Sequence, residues 1–129
     1  PTNLFVAKFL GTPPINVFAG EVKGGKLYLG EEAVLDVPGV ADQAVTVGIR
    51  PEGFEMDDNG SFTCKLNAVE VMGRDTSIVC THSAFTGACL RAIVDSDELS
   101  FATGTEINFA LKPGKVLLFR QDTGARIRF

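Results

Sequence analysis

The chain has no tryptophan, a single tyrosine, a single histidine and only three cysteines in 129 residues, and each scarcity removes a class of chemistry. With one histidine, a Ser-His-Asp or Cys-His hydrolase would have to use His82. Ser83 and Cys80 are near it in sequence, but adjacent strand positions point to opposite faces, and no G-x-S-x-G elbow is present. His82 is therefore expected to be an exposed turn histidine. One histidine without a cysteine cluster also leaves no set of zinc ligands. Cys64, Cys80 and Cys89 are odd in number and follow no C-x-x-C spacing, so all three read as reduced core residues of a cytosolic protein.

Long apolar runs are missing too. The longest, such as Val116-Leu117-Leu118-Phe119, are far too short to cross a bilayer. No basic stretch leads into an apolar one at the N-terminus, so no signal peptide is expected. The chain starts at Pro1 rather than Met and is read as a cut-out from something longer.

Two motifs come close to a known chemistry and stop short. Gly20-Glu21-Val22-Lys23-Gly24-Gly25-Lys26-Leu27 follows the phosphate-binding G-x-x-x-x-G-K up to its last position, where Leu27 replaces the Ser or Thr that ligates Mg²⁺. A P-loop must also open a helix, whereas Leu27-Tyr28-Leu29 alternates as a strand. The stretch from Glu55 to Gly60 resembles the front of a Ca²⁺ loop, but the closing bidentate Glu falls on Leu66. The acid pairs Glu31-Glu32, Asp57-Asp58 and Asp97-Glu98 lie beside turn signals and are expected to be solvated, which leaves no catalytic constellation.

What is present is a core and a β pattern. Apolar residues make up 45% of the chain, enough for a domain that buries roughly two-thirds of its unfolded surface. Residues 2–10 predict one helix, capped by Thr2 or Asn3, with Phe5 and Phe9 on one face and Gly11 closing it before Pro13 and Pro14. Period-two segments follow at 15–22, 26–29, 44–50, 61–72, 76–82, 88–94, 105–111, 116–119 and 125–129. Gly24-Gly25 supplies the positive φ values of a tight hairpin, and the other separators are Gly, Asp, Asn and Pro clusters. Residues 95–104 read as a loop. Many short strands, one helix and 14 glycines indicate a mainly β fold, best fitted by an OB-like Greek-key barrel. Residues 1–14 are taken as helix and linker, and 15–129 as the barrel.

The net charge of −4 is uneven. Lys112, Lys115, Arg120, Arg126 and Arg128 against Asp122 make the end of the chain +4 and leave the rest at −8. An acidic body excludes a general nucleic-acid binder, which needs a basic face. The basic end reads as a charged strand edge, or as a surface suited to an acidic partner. Turns rich in Gly, Ser and Thr, at 81–87 and Thr123-Gly124, offer a second reading, a stand-alone domain that binds a molybdate-like oxyanion.

Four segments carry a family resemblance. Pro1-x-Asn3-x-Phe5-Val6-Ala7-x-Phe9-Leu10-Gly11-Thr12-Pro13-x-Ile15-Asn16 resembles the segment leaving the nucleotide-binding domain of ABC importer ATPases, P-x-N-x-F-V-A-x-F-I-G-S/T-P-x-M-N. Val47-Gly48-Ile49-Arg50-Pro51-Glu52 is similar to that family's G-I-R-P-E, and Val69 to Thr76 to its V-E-x-L-G-x-E-T, with Glu70 and Gly73 at the matching positions. Leu118 to Ile127 resembles H-L-F-D-x-x-T-G-x-R-I, with Thr123, Gly124 and Arg126 matching. Pro13 after Gly11-Thr12 favours the sugar-type branch. The sequence departs from the family at Gly53, which stands where His is frequent, at Val116-Leu117, where a His commonly precedes Leu-Phe, and at Arg120, which replaces Asp.

The resemblance implies a TOBE domain, the C-terminal OB-like regulatory domain of a sugar or glycerol-phosphate importer ATPase of the maltose-transporter type. It implies a homodimer with a twin subunit, contact with membrane subunits through the parent protein, a regulatory protein partner in some members, and a place on the cytoplasmic face of the membrane. It implies no cofactor for this fragment, since ATP and Mg²⁺ would belong to the absent upstream domain. Arg50, Pro51 and Glu52 are expected to form an architectural corner, and apolar Phe and Leu exposed near turns to form the dimer contact.

Overall fold

The computed structural model describes residues 15–95 and 104–129. The helix expected at 2–10, Gly11, Pro13 and most of the 95–104 loop lie outside them. Eleven strands are described: β1 Asn16–Lys23, β2 Lys26–Leu29, β3 Glu32–Asp36, β4 Gln43–Ile49, β5 Phe54–Met56, β6 Phe62–Met72, β7 Asp75–Thr81, β8 Leu90–Asp95, β9 Glu106–Leu111, β10 Val116–Arg120 and β11 Arg126–Ile127. The β1–β2 turn takes φ values of 58° at Gly24 and 74° at Gly25, as the sequence indicates.

Two strands escape the sequence pattern. β3 begins at Glu32, in a pair of acids read as solvated, and β5 has three residues. The last strand is shorter than 125–129, because only Arg126 and Ile127 pair with β10.

The strands form two sheets, ordered β11-β10-β4-β1-β2-β3 and β5-β9-β6-β7-β8. In each, a three-strand meander is followed by a fourth strand that returns beside the first, giving β4-β1-β2-β3 and β9-β6-β7-β8, the Greek-key order. Each half then donates its next strand to the other sheet, since β5 pairs with β9 and β10 with β4. The two donating turns, Pro51–Gly53 and Pro113–Lys115, are single 3₁₀ turns opened by proline. They bond to one another reciprocally. Arg50 N donates to Lys115 O at 3.1 Å, and Lys112 N donates to Gly53 O at 2.9 Å. β3 packs on β6 and β9, while the free edges β5 and β8 meet, so the sheets curl into an OB-like barrel. A bulge in β6 between Leu66 and Ala68 adds twist where that long strand bends.

Phenylalanine fills the interior that has no tryptophan. Phe18, Phe54, Phe62 and Phe109 meet edge to face, with Phe54 to Phe62 at 5.3 Å and Phe54 to Phe109 at 5.4 Å between centroids. The run Val116 to Phe119 is apolar throughout because β10 is buried on both faces. Val116 and Leu118 join the main core, and Leu117 and Phe119 pack with Ile15 on the outer side. Cys64 and Cys80 are buried as expected, whereas Cys89 is exposed, in the irregular stretch before β8. No helix among the described residues is long and apolar enough to cross a membrane.

Candidate functional site

Residues from separate motifs converge on Arg91, a position the sequence does not single out. Asn16, 5% exposed at the start of β1, donates from Nδ2 to Ile49 O at 3.0 Å and to Arg91 O at 2.9 Å. Its Oδ1 accepts from Arg91 N at 2.8 Å. One carboxamide thus satisfies both backbone groups of an edge-strand residue and ties the first sheet to the second. Glu70 approaches from the other side, where Arg91 Nη1 donates to Glu70 Oε1 at 2.5 Å and to the buried Ser77 Oγ at 2.6 Å. The Glu70 and Arg91 side chains are half-exposed, so their ion pair contributes at most about 1 kcal/mol. Gly73, with φ at 68°, turns the β6–β7 hairpin a few residues on. Nothing in the local pattern of β8 marks Arg91, because its partners lie far away in sequence.

Arg50, Pro51 and Glu52 stand at the first of the two proline-opened turns. Gly53 N closes the turn onto Arg50 O at 2.8 Å, Pro51 is buried, and Glu52 lies 3.7 Å from Lys115 Nζ on the opposing turn.

His82 and Glu32 correct two expectations. The His82 side chain is 4% exposed rather than solvated, stacked on Phe62 at 4.5 Å between centroids. Its Nδ1 accepts from Ala84 N at 3.0 Å, so the ring proton sits on Nε2 and is donated to Glu32 Oε1, also at 3.0 Å. The same carboxylate oxygen accepts from Thr63 N at 3.1 Å, so Glu32 is a half-buried staple from β3 to β6 and β7 rather than a free surface acid. They line an open cleft of about 520 Å³ with Thr63, Thr81 and Ser83. With both ring nitrogens engaged, His82 has none left to deprotonate Ser83.

In the two turns considered for an oxyanion, six amides are committed. Ala84 N donates to His82 Nδ1, Phe85 N to His82 O, and Thr86 N to Val17 O. In the second turn Thr123 N donates to Asp122 Oδ1, Gly124 N to Arg120 O, and Ala125 N to Thr123 Oγ1. Gly124, at φ 71°, lets the chain reverse so that Arg126 lies over the Phe119 ring at 5.9 Å. The Arg120 guanidinium and the Thr123 amide together hold the Asp122 carboxyl down at about 2.

Exposed apolar side chains are few. Among the described residues the large ones are Val71 and Met72, at the end of β6, and Phe129. The expectation of Phe and Leu at the turns thus narrows to Phe129, with Val and Met at the hairpin tip.

The fold is a Greek-key barrel whose two sheets are tied together at Asn16, and sequence comparison places it in a family. Residues 16–55 match the CysA C-terminal regulatory domain and residues 47–119 the TOBE domain. The chain belongs to the TOBE domain family. The two matches overlap across the Pro51–Gly53 turn, where the first half of the barrel passes its strand to the second. The chain is 34% identical over 131 residues to the sn-glycerol-3-phosphate import ATP-binding protein UgpC of Jannaschia sp. (strain CCS1), covering 98% of this chain and 36% of that protein. It is 31% identical over 128 residues to the UgpC of Ruegeria sp. (strain TM1040), with the same coverage. It is 30% identical over 144 residues to the oligosaccharides import ATP-binding protein MsmX of Bacillus subtilis (strain 168), covering 99% of this chain and 38% of that protein. The chain spans little more than a third of the length of these relatives.

Proposed function

We propose that this chain is the regulatory C-terminal domain of the ATP-binding subunit of an importer for sugars or related small solutes. The observation that carries this reading is the extent of the similarity. Nearly the whole chain aligns with proteins named as import ATP-binding subunits, and it accounts for about a third of each. The domain performs no hydrolysis and needs no cofactor of its own. ATP and Mg²⁺ would act on the ATPase portion, on the cytoplasmic face of the membrane and in contact with the membrane subunits.

Within that assembly the domain's work is mechanical. Two copies, one per ATPase subunit, pair and stay together while the ATP sites open and close, so each barrel must hold its shape under load. The exchanged strands β5 and β10 and the reciprocal turn bonds suit this role, because neither half can open without pulling a strand from the other. Regulatory partners, where they exist, act on this surface, and nucleic acid has no part in it. Deleting residues 15–129 from the parent subunit is expected to weaken subunit pairing and solute uptake while ATP binding persists. Full uptake by the truncated subunit would refute the proposal.

A further inference from the structure

The basic end of the chain holds two arginines, Arg126 and Arg128, that no acid among the described residues pairs with. Arg126 and Arg128 line one cleft of about 420 Å³ together with Pro38, Pro113, Phe129 and Asp36. Neither arginine forms an ion pair among the described residues. Asp36, the one acidic side chain in the wall, is already engaged by Lys26 Nζ at 2.8 Å. Arg120, by contrast, belongs to the same basic stretch but is held by Asp122 at 3.0 Å.

Arg126 is in an unfavourable place for a cation. Its Nε is enclosed with no hydrogen-bond acceptor, and burial, aided by the Arg128 charge, pulls the guanidinium below its ordinary value. A guanidinium does not discharge in a protein. Although the Phe119 ring lies under this one at 5.9 Å, no side chain among the described residues neutralises it, which leaves room for an anion. Arg126 and Arg128 line the same cleft, and the charge of Arg128 bears on Arg126. An anion between them should therefore carry about two negative charges on one compact centre. A phosphate monoester does so at neutral pH, whereas a carboxylate carries one. The prolines and the half-exposed Phe129 ring offer apolar walls to a carbon body.

We propose that this cleft binds a small phosphate monoester, its oxygens bonded by Arg126 and Arg128 and its carbon body resting on Pro38, Pro113 and Phe129. The site lies at neither of the Gly- and Thr-rich turns, and it does not depend on the importer reading.

The test is a titration of the 129-residue chain with phenyl phosphate, inorganic phosphate and malonate at fixed ionic strength, followed by amide shifts at Gly114, Ile127 and Arg128. Saturable shifts with phenyl phosphate are expected, with inorganic phosphate weaker for want of a carbon body. Arg128→Gln changes an exposed side chain and is expected to weaken binding about ten-fold, the effect of losing one charge-assisted contact. Arg126→Gln is expected to do at least as much, and Arg120→Gln to leave affinity unchanged. No saturation, equal binding by the Arg128→Gln variant, or malonate binding as tightly as phenyl phosphate would each overturn the proposal.

Discussion

The Asn16 carboxamide bonds both the N–H and the C=O of Arg91, at 2.8 and 2.9 Å, and so stands in for a neighbouring strand along part of the β8 edge. A third bond reaches Ile49 O, at the end of β4. Replacing Asn16 by Ala strips three bonds from a buried site and leaves those backbone groups without that partner. Unfolding in urea is expected to show a loss of about 2–4 kcal/mol. Asn16→Asp should be no better tolerated, since it swaps a donor for a charge facing two carbonyls. A loss below about 0.5 kcal/mol would show that the junction contributes little.

Glu32 and His82 form the second staple, and their effect should appear in stability alone. Glu32→Ala removes the acceptor of both Thr63 N and His82 Nε2. The expected cost is about 1–3 kcal/mol by denaturant unfolding. His82→Ala should also lower the unfolding temperature, through the lost stack on Phe62. Ester hydrolysis by the wild-type chain that disappears in His82→Ala would contradict the structural role.

Two glycines should respond oppositely to the same change. A Cβ at Gly60 would lie 2.3 Å from the backbone C and O of Phe109, so Gly60→Ala must push β9 away. It is expected to cost about 3 kcal/mol, the upper end for overpacking. Gly114 has open space around its Cβ position and no positive φ, so Gly114→Ala is expected to be neutral or stabilising by about 0.5 kcal/mol. Equal thermal shifts for the two variants would show that close approach is not what requires glycine at position 60.

Asp122 should titrate low. Its carboxyl is held at about 2, against an ordinary value near 3.8, chiefly by hydrogen bonding to Arg120 and then by the Thr123 amide. A depressed value in the folded state means that the contribution is present above about pH 4 and fades as the pH falls towards 2. The pair is exposed and salt will screen it, so the side-chain ¹³C titration is a better readout than global stability. Arg120→Gln should return the midpoint towards its ordinary value, and an unchanged midpoint would remove Arg120 as the cause.

Val71 and Met72 are exposed at the β6–β7 tip, so Val71→Ser with Met72→Ser should shift unfolding by less than about 0.5 kcal/mol. If the hairpin takes part in pairing two copies, sedimentation will show weaker self-association at unchanged stability. A wild-type chain that is itself monomeric at high concentration would instead take the hairpin out of any contact made by the isolated domain.

The parts of the fold visible in the sequence were those with local causes. Gly24-Gly25 must turn, residues 26–29 alternate, and Pro51 and Pro113 stop strands, so most of the ladder can be read directly. β3 was hidden because Glu31-Glu32 carries the composition of a turn, and only the distant Thr63 and His82 make Glu32 a partly buried acceptor. Arg91 was hidden for the same reason. Its partners Asn16, Glu70 and Ser77 come from three other strands, and no spacing within β8 encodes that meeting. Asn16 and Glu70 could be picked out through the resemblance, but their shared partner needed the structure. Cys89 shows the converse error, since its apolar composition suggested the core and the chain leaves it at the surface.

The most direct measurement is the mass of the polypeptide in its source cells, detected with an antibody raised against this chain. The importer reading requires a band well above 13.7 kDa that fractionates with membranes and reacts with an ATP-affinity label. A band at 13.7 kDa in the soluble fraction, unlabelled, would contradict it and leave a free-standing barrel.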